Sequence, residues 1–435
     1  MTLTVWSTAG GRDIRLCGTM ARVGVQTWGS EGDVQPFLAL ARGLAEAGHD
    51  VRLAVTTQSD KRYAAPPGVR LERVGEDVSG AEGAALLDRV MALGSPLKQA
   101  RLVLEEALLP QESAMADAAA QLVEWSDVVV RHHFLYMARD HAARADVPEV
   151  SVFLTPDLLP TRAHPPTGMP SLGPLQRVGW WAANKGIGSV FLPPAQRFRA
   201  ALGLPPAKGM LHDVWPSATA NVVAVSPALF PRPEDWSEHT HLTGFLRGPV
   251  TSDALLAPAL EAFLESGDPP VYASFGSLSP WTEPRLSDTA RLLVAAARCV
   301  GRRVIVQLPV STDLDGDDDV LRVDGSPHAQ VFPRCAAVIH HGGAGVTQTA
   351  VRAGTRAVVV PHMADQVFWA AQVERLGVGV AAPMRSKVTV ESLAGALQRA
   401  LDLDADGPLG TAGAALEVED GVREAVAVVE GSLSS

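Results

Sequence analysis

Apolar and polar positions change period along this chain in a regular order. Short apolar runs rich in β-branched residues, at 22–26, 51–55, 127–130, 150–154 and 221–225, alternate with stretches of helical spacing. Runs of that length, apolar on both sides, read as buried parallel strands. Between the first two, residues 34–47 place Phe37, Leu38, Ala41, Leu44 and Ala45 on one face, and Gly48 closes the helix. Strand, helix and strand in this order make a βαβ unit, and its repetition makes a doubly wound parallel sheet. The run at 221–225 reads as the last strand of that sheet. A Pro-rich stretch, 226–249, follows with Pro227, Pro231, Pro233 and Pro249. A second series then opens at 271–274 and repeats at 304–307, 336–339 and 357–360. The pattern predicts an α/β protein of two Rossmann-like domains, each a doubly wound parallel sheet.

The expected division is 21–225 for the first domain, 226–249 for an interdomain linker and 250–405 for the second domain. Residues 406–435 then form a C-terminal helix able to cross back to the first domain. Residues 1–20 show no sustained periodicity, and Arg12, Asp13 and Arg15 interrupt any signal-peptide core. They read as a disordered leader or a mis-assigned start.

Composition narrows the function classes. A chain of 435 residues suits two domains, and 47% hydrophobic with 20% charged residues is globular. The formal charge of −11 leaves no basic stripe for nucleic acid and limits membrane contact to a peripheral one. No apolar run has transmembrane length. Three cysteines, Cys17, Cys299 and Cys335, cannot all pair and have no metal spacing, a cytoplasmic pattern of use. Cys299 and Cys335 read as packing residues. The acidic run at 313–319 suggests a calcium loop, but aspartate stands at 318 and 324, where glycine and glutamate are needed. It reads as a solvated loop, and no metal is expected.

The chemistry concentrates in His340-His341-Gly342-Gly343-Ala344-Gly345-Val346-Thr347, followed eighteen residues later by Asp365-Gln366. A strand, a glycine turn and a new helix hold a diphosphate: the glycines let backbone N–H groups approach an anion, and the helix N-terminus adds partial positive charge. His341 can donate a hydrogen bond to phosphate while neutral. Asp365 and Gln366 lie just past the carboxyl end of the next strand, where open α/β sheets bind ligands. An acid beside an amide suits sugar hydroxyls.

From His340 to Gly377 the chain resembles the family 1 nucleotide-sugar glycosyltransferases, in their bacterial natural-product and sterol-type branch. Pro361, Asp365, Gln366, Trp369 and Ala370 occupy the places of that signature, and Val346 stands where threonine is usual. The resemblance implies two facing Rossmann-like domains, the GT-B fold. It implies that His341, Gly343, Ala344 and Gly345 hold the donor diphosphate, with Ser277 adding a hydroxyl, and that Asp365 and Gln366 hold the donor sugar. Pro327, His328 and Val331 fall in the segment that lines the nucleotide base, where Gly325 and Gln330 occupy places for a stacking aromatic.

The loop Gly29-Ser30-Glu31-Gly32-Asp33-Val34-Gln35-Pro36 resembles the branch's acceptor-activating loop, with Glu31 in place of arginine. By resemblance Asp33 is the general base. The competing structural reading places Asp33 as a helix N-cap; Pro36, lacking an N–H, would leave its carboxylate less tied up. His132 and His133 end an apolar strand and could enter an acceptor pocket, act as a rival base or merely cap the strand. Trp180 and Trp181, with Phe191 and Phe198 among Lys185, Arg197 and Arg199, could cover a lipophilic acceptor, touch a membrane surface or pack in the core.

These parts imply an inverting glycosyltransferase that moves a sugar from a UDP- or dTDP-sugar to a hydroxyl of a lipophilic small molecule. The acceptor would be a polyketide or macrolide, a sterol or a glycopeptide aglycone. The nucleotide sugar is a co-substrate, and neither cofactor nor metal is expected. Two alternatives remain at this point: a nucleotide-sugar epimerase on the same fold, and a non-catalytic nucleotide-sugar-binding protein.

Overall fold

The computed structural model describes residues 20–58, 61–248, 256–276, 285–308 and 317–433. The expected leader falls almost wholly outside these residues. Among the described residues thirteen strands form two sheets. The first sheet contains β1 (Arg22–Gly29), β2 (Asp50–Thr57), β3 (Val69–Arg73), β4 (Val128–His132), β5 (Glu149–Phe153), β6 (Ala220–Val223) and β7 (Thr240–Leu242). The second contains β8 (Val271–Ser274), β9 (Val304–Gln307), β10 (Val320–Val323), β11 (Ala337–His340), β12 (Ala357–Val359) and β13 (Val380–Ala381). Their orders are β3-β2-β1-β4-β5-β6-β7 and β10-β9-β8-β11-β12-β13. Every pairing is parallel. Each order reverses direction beside its first strand, opening a crevice between β1 and β4 and another between β8 and β11.

The central strands are the runs that the apolar pattern marks. Val23, Val25, Val128, Val130, Val150 and Val152 are fully buried, packed on Phe37, Leu40 and Leu44 of the helix Glu31–Glu46. Two expectations change. That helix starts at Glu31, so its first turn is the stretch read as loop. The stretch read as linker contributes β7, so 221–225 does not end the sheet. Thr240–Leu242 is short and largely half-buried, and gives no apolar run.

The two halves are joined by more than chain connectivity. In the helix Ala344–Arg352, Gln348 Oε1 accepts from the Ser226 N–H at 2.8 Å and its Nε2 donates to the Ala224 carbonyl at 3.3 Å. The last helix, Gly421–Ser432, lies on the first domain, with Ala425, Val426 and Val429 in its core. Gly43 makes room for it: a Cβ there would stand 2.3 Å from Val422 Cγ1. Where the chain crosses between domains, Gly421 meets Gly244 backbone to backbone; a Cβ on Gly421 would lie 2.6 Å from the Gly244 carbonyl carbon.

The two described cysteines differ. Cys335 packs, with its Sγ 3.3 Å from the Val331 carbonyl and burial pushing its thiol up to about 12, whereas Cys299 is exposed. Asp317 and Asp319 both clamp Arg298, each at 2.7 Å; the rest of the acidic run at 313–316 lies outside the described residues.

Candidate active site

At the carboxyl end of β1 the backbone turns at Gly29, and Ser30 caps the helix that follows. Asp33 is therefore the third residue of that helix and not its cap. Its Oδ2 accepts from the Ser30 N–H at 2.7 Å and the Ser30 hydroxyl at 2.8 Å. The expected effect of Pro36 is corrected by the same geometry: Pro36 sits deeper in the helix, and the carboxylate takes its bonds from the residue behind it. Gly29 is obligatory here, with φ +136° and room for no side chain: a Cβ would lie 2.3 Å from Asp33 Oδ2.

The second carboxylate oxygen, Oδ1, faces His132 Nε2 at 3.5 Å. His132 ends β4, the strand beside β1, so the pair straddles the crevice of the first sheet. Its Nδ1 accepts from the Phe134 N–H at 3.3 Å, so Nε2 is the ring nitrogen that carries a proton toward Asp33. His133 has a different role. Its ring stacks on Phe153 at 4.9 Å and meets Trp215 edge-on at 5.6 Å. Burial pushes its pKa well below the usual imidazole range, and neither ring nitrogen has a hydrogen-bond partner. It packs inside an aromatic cluster with Phe134, Phe191 and Trp215. The two tryptophans, adjacent in sequence, separate in space. Trp180 is buried and donates from Nε1 to the His164 carbonyl at 3.0 Å, while Trp181 stands in solvent.

In the second domain β11 delivers His340 and His341. His340 is fully buried, and its Nδ1 accepts from the Gly342 N–H at 3.0 Å. The His341 ring lies between glycines: a Cβ would come within 3.0 Å of it at Gly276 and 2.7 Å at Gly343. Burial holds its pKa down at about 4, so it is neutral at pH 7, and its Nδ1 has no partner. Gly343 caps the helix Ala344–Arg352 without a side chain. The first helical backbone bond in this turn is donated by Thr347, leaving the amides of Ala344, Gly345 and Val346 unsatisfied by the helix. Donors of this kind can receive an anion without carrying charge themselves. Ser277 lies outside the described residues.

One β-α unit later, Ala364 takes a left-handed φ of +49°, and Asp365 begins the helix Gln366–Leu376. The Gln366 Oε1 accepts from the His362 N–H at 2.8 Å and the Met363 N–H at 3.2 Å, while its amide NH2 makes no such bond among the described residues. The Asp365 carboxyl is pushed up, by burial first and then by the Asp157 and Asp33 carboxylates. Glu31, which pairs with Lys61, likewise acts on His328. The charges of the β1 loop are therefore felt at these groups of the second domain. Asp157 is absent from the sequence reading. It sits in the turn Pro156–Leu158 after β5, with Oδ1 accepting from Thr155 at 2.6 Å and Oδ2 from Thr167 at 2.5 Å. The rule that favours polar residues at strand carboxyl ends would have found it.

The segment expected at the nucleotide base divides. Pro327 caps a short helix, His328–Val331. His328 stacks on Phe332 at 4.5 Å with Nε2 3.1 Å from Gln307 Oε1. Val331 is fully buried in the core with Tyr272 and Ile305, so its side chain faces away from the solvent side of this segment.

Known proteins place this geometry. A family model described as erythromycin biosynthesis protein CIII-like, C-terminal domain, matches residues 291–421, and one described as glycosyltransferase family 28 N-terminal domain matches 23–120. O-mycaminosyltylonolide 6-deoxyallosyltransferase of Streptomyces fradiae is 30% identical over 94% of this chain and 97% of its own length. Vancomycin aglycone glucosyltransferase of Amycolatopsis orientalis is 33% identical over 87% and 90%. Among solved structures, the glycotransferase of kitacinnamycin superposes with a TM-score of 0.68 at 18% identity, over 95% of this chain and 99% of that one. On these matches the chain belongs to the family 1 glycosyltransferases of the GT-B fold.

Proposed function

We propose that the enzyme transfers a sugar from a UDP- or dTDP-sugar to a hydroxyl of a lipophilic natural product or sterol, with inversion, and with Asp33 as general base. The observation that carries this reading is the Asp33–His132 pair at the carboxyl edge of the first sheet, with Oδ1 and Nε2 3.5 Å apart. Asp33 Oδ2 is held by Ser30, so Oδ1 is the oxygen available to take a proton from an acceptor hydroxyl. His132 Nε2–H steadies the carboxylate, which makes His132 a positioning residue. As the acceptor oxygen attacks the anomeric carbon from the face opposite the diphosphate, the nucleoside diphosphate leaves. Its developing charge is stabilised by the amides of Ala344 and Gly345, the helix dipole and the neutral His341. One displacement with one base inverts the configuration. In this scheme the chain's own donors hold the diphosphate and no metal takes part.

The acceptor reading draws on the aromatic cluster of Phe134, Phe191 and Trp215 beside His132. It is also supported by relatives whose names specify O-mycaminosyltylonolide and the vancomycin aglycone.

The test is calorimetric titration of UDP and dTDP into metal-free enzyme, followed by acceptor screening with the sugars of whichever binds. Tight binding of one, then product of inverted configuration, is the expected result. Retention of configuration, or binding of neither nucleotide, overturns the reading.

A further inference from the structure

We propose that the outer face of the helix Gln176–Ala201 docks on an anionic lipid bilayer. This helix has two faces of opposite use. Trp180 and Phe191, three turns apart, point inward, Trp180 into the core and Phe191 onto Phe134 and Trp215. On the other side Val178, Trp181 and Lys185 follow at i, i+3 and i+7, all exposed, with Leu172 and Leu175 continuing the stripe before the helix begins. Leu175 is 66% exposed, Trp181 61% and Val178 54%, so the apolar groups there are nearly bare. Leu97 extends the patch from the neighbouring helix Pro96–Val103, since a Cβ on Gly186 would touch it at 3.5 Å.

Charge identifies the occupant. Residues 158–212 hold no Asp or Glu, in a chain of formal net charge −11, and their cations Arg162, Arg177, Lys185, Arg197 and Lys208 are exposed, whereas Arg199 is buried against Asp140. Arg177 and Lys185, on the exposed face itself, and Lys98 beside Leu97 form no ion pair among the described residues. A stripe of Leu, Val and Trp flanked by unpaired cations, set apart on an acidic protein, is complementary to a surface that is apolar inside and negative outside. A protein groove would offer the apolar contact without requiring the acid-free stretch. The overall negative charge confines attachment to this face and keeps it reversible. The same helix carries Phe191 into the aromatic cluster, so docking would present that cluster to molecules dissolved in the bilayer. This consequence rests on the acceptor reading above; the docking itself does not.

The experiment is flotation of the full chain with vesicles of phosphatidylglycerol and phosphatidylcholine, against pure phosphatidylcholine, without donor or acceptor. Expected is binding to the anionic vesicles only, weakened at least tenfold by 0.5 M salt and by Val178→Ser/Trp181→Ser. Both positions are solvent-exposed, and unchanged thermal unfolding and nucleoside diphosphate binding would show that the variant is folded. Flotation with neither vesicle, flotation that survives the double substitution, or a concentration-dependent dimer that the substitution abolishes would each overturn the proposal. None of these outcomes touches the transfer reaction, which is read separately by diphosphate binding and turnover.

Discussion

Asp33, in the first turn of the helix that follows β1, and His132, at the end of the adjacent strand β4, meet with Oδ1 and Nε2 3.5 Å apart. The carboxylate is fixed from behind by Ser30 and the imidazole from behind by the Phe134 amide. Each group is therefore aimed by a backbone N–H, and neither depends on a flexible partner.

Asp33→Asn keeps the hydrogen-bonding shape toward Ser30 while removing the base. Turnover is expected to fall by about two to four orders of magnitude with nucleoside diphosphate affinity unchanged. Calorimetry beside steady-state kinetics checks this, and an equal loss of diphosphate binding would return Asp33 to a purely structural role.

His132→Ala is expected to lower kcat about tenfold with the donor KM unchanged, and His132→Gln to recover part of the loss through its amide N–H. A loss confined to KM would show that His132 serves substrate binding instead.

His341→Ala removes one neutral donor from the anion site. Nucleoside diphosphate binding should weaken about tenfold while the Ala344 and Gly345 amides retain the remainder. Undiminished affinity in calorimetry would place the diphosphate elsewhere.

At Gly29 any side chain meets both a φ of +136° and the Asp33 carboxylate. Gly29→Ala should cost about 1–3 kcal/mol in denaturant unfolding and move Asp33 away from His132, lowering turnover as well. Full activity with full stability would contradict the close approach described for this turn.

His340 and His362 are buried, and burial pushes each down to about 3. In the unfolded chain they titrate near 6.5, so between about pH 3 and 6.5 the unfolded state binds more protons. Stability must then fall as pH falls through that window, by about 1.4 kcal/mol per pH unit for each histidine, and level off above it. Urea unfolding at pH 7.5, 6 and 5 measures the slope, which His362→Gln should make shallower. A flat profile across that range would count against neutral burial.

What the sequence discloses follows from what each residue faces. Strands buried on both sides, such as β1, β4 and β11, leave short stretches rich in β-branched apolar residues, and their carboxyl ends locate Asp33, His132 and His341. The edge strands β3 and β10 are only partly buried, and β13 spans two residues, so none leaves a run to detect. The part played by Asp33 in its helix depends on whether Ser30 or Asp33 is the cap, a difference of one turn that periodicity does not resolve. Trp180 and Trp181 are adjacent in sequence and opposite in space, because a helix turns about 100° per residue. The apolar pattern marks both and separates neither. Asp157 was legible by the strand-end rule but carries no neighbouring glycines to draw the eye.

The contact of Gly421 with Gly244 has a consequence for recombination between relatives. Because the chain visits the first domain, then the second, and then returns, a crossover at the boundary alone would graft one parent's closing helix onto the other parent's sheet. Val422 and Val426 would then have to fit a foreign Gly43 and a foreign core. A working chimera needs two junctions, one on each crossing strand at the glycine pair, so that residues after Gly421 travel with the half they cover.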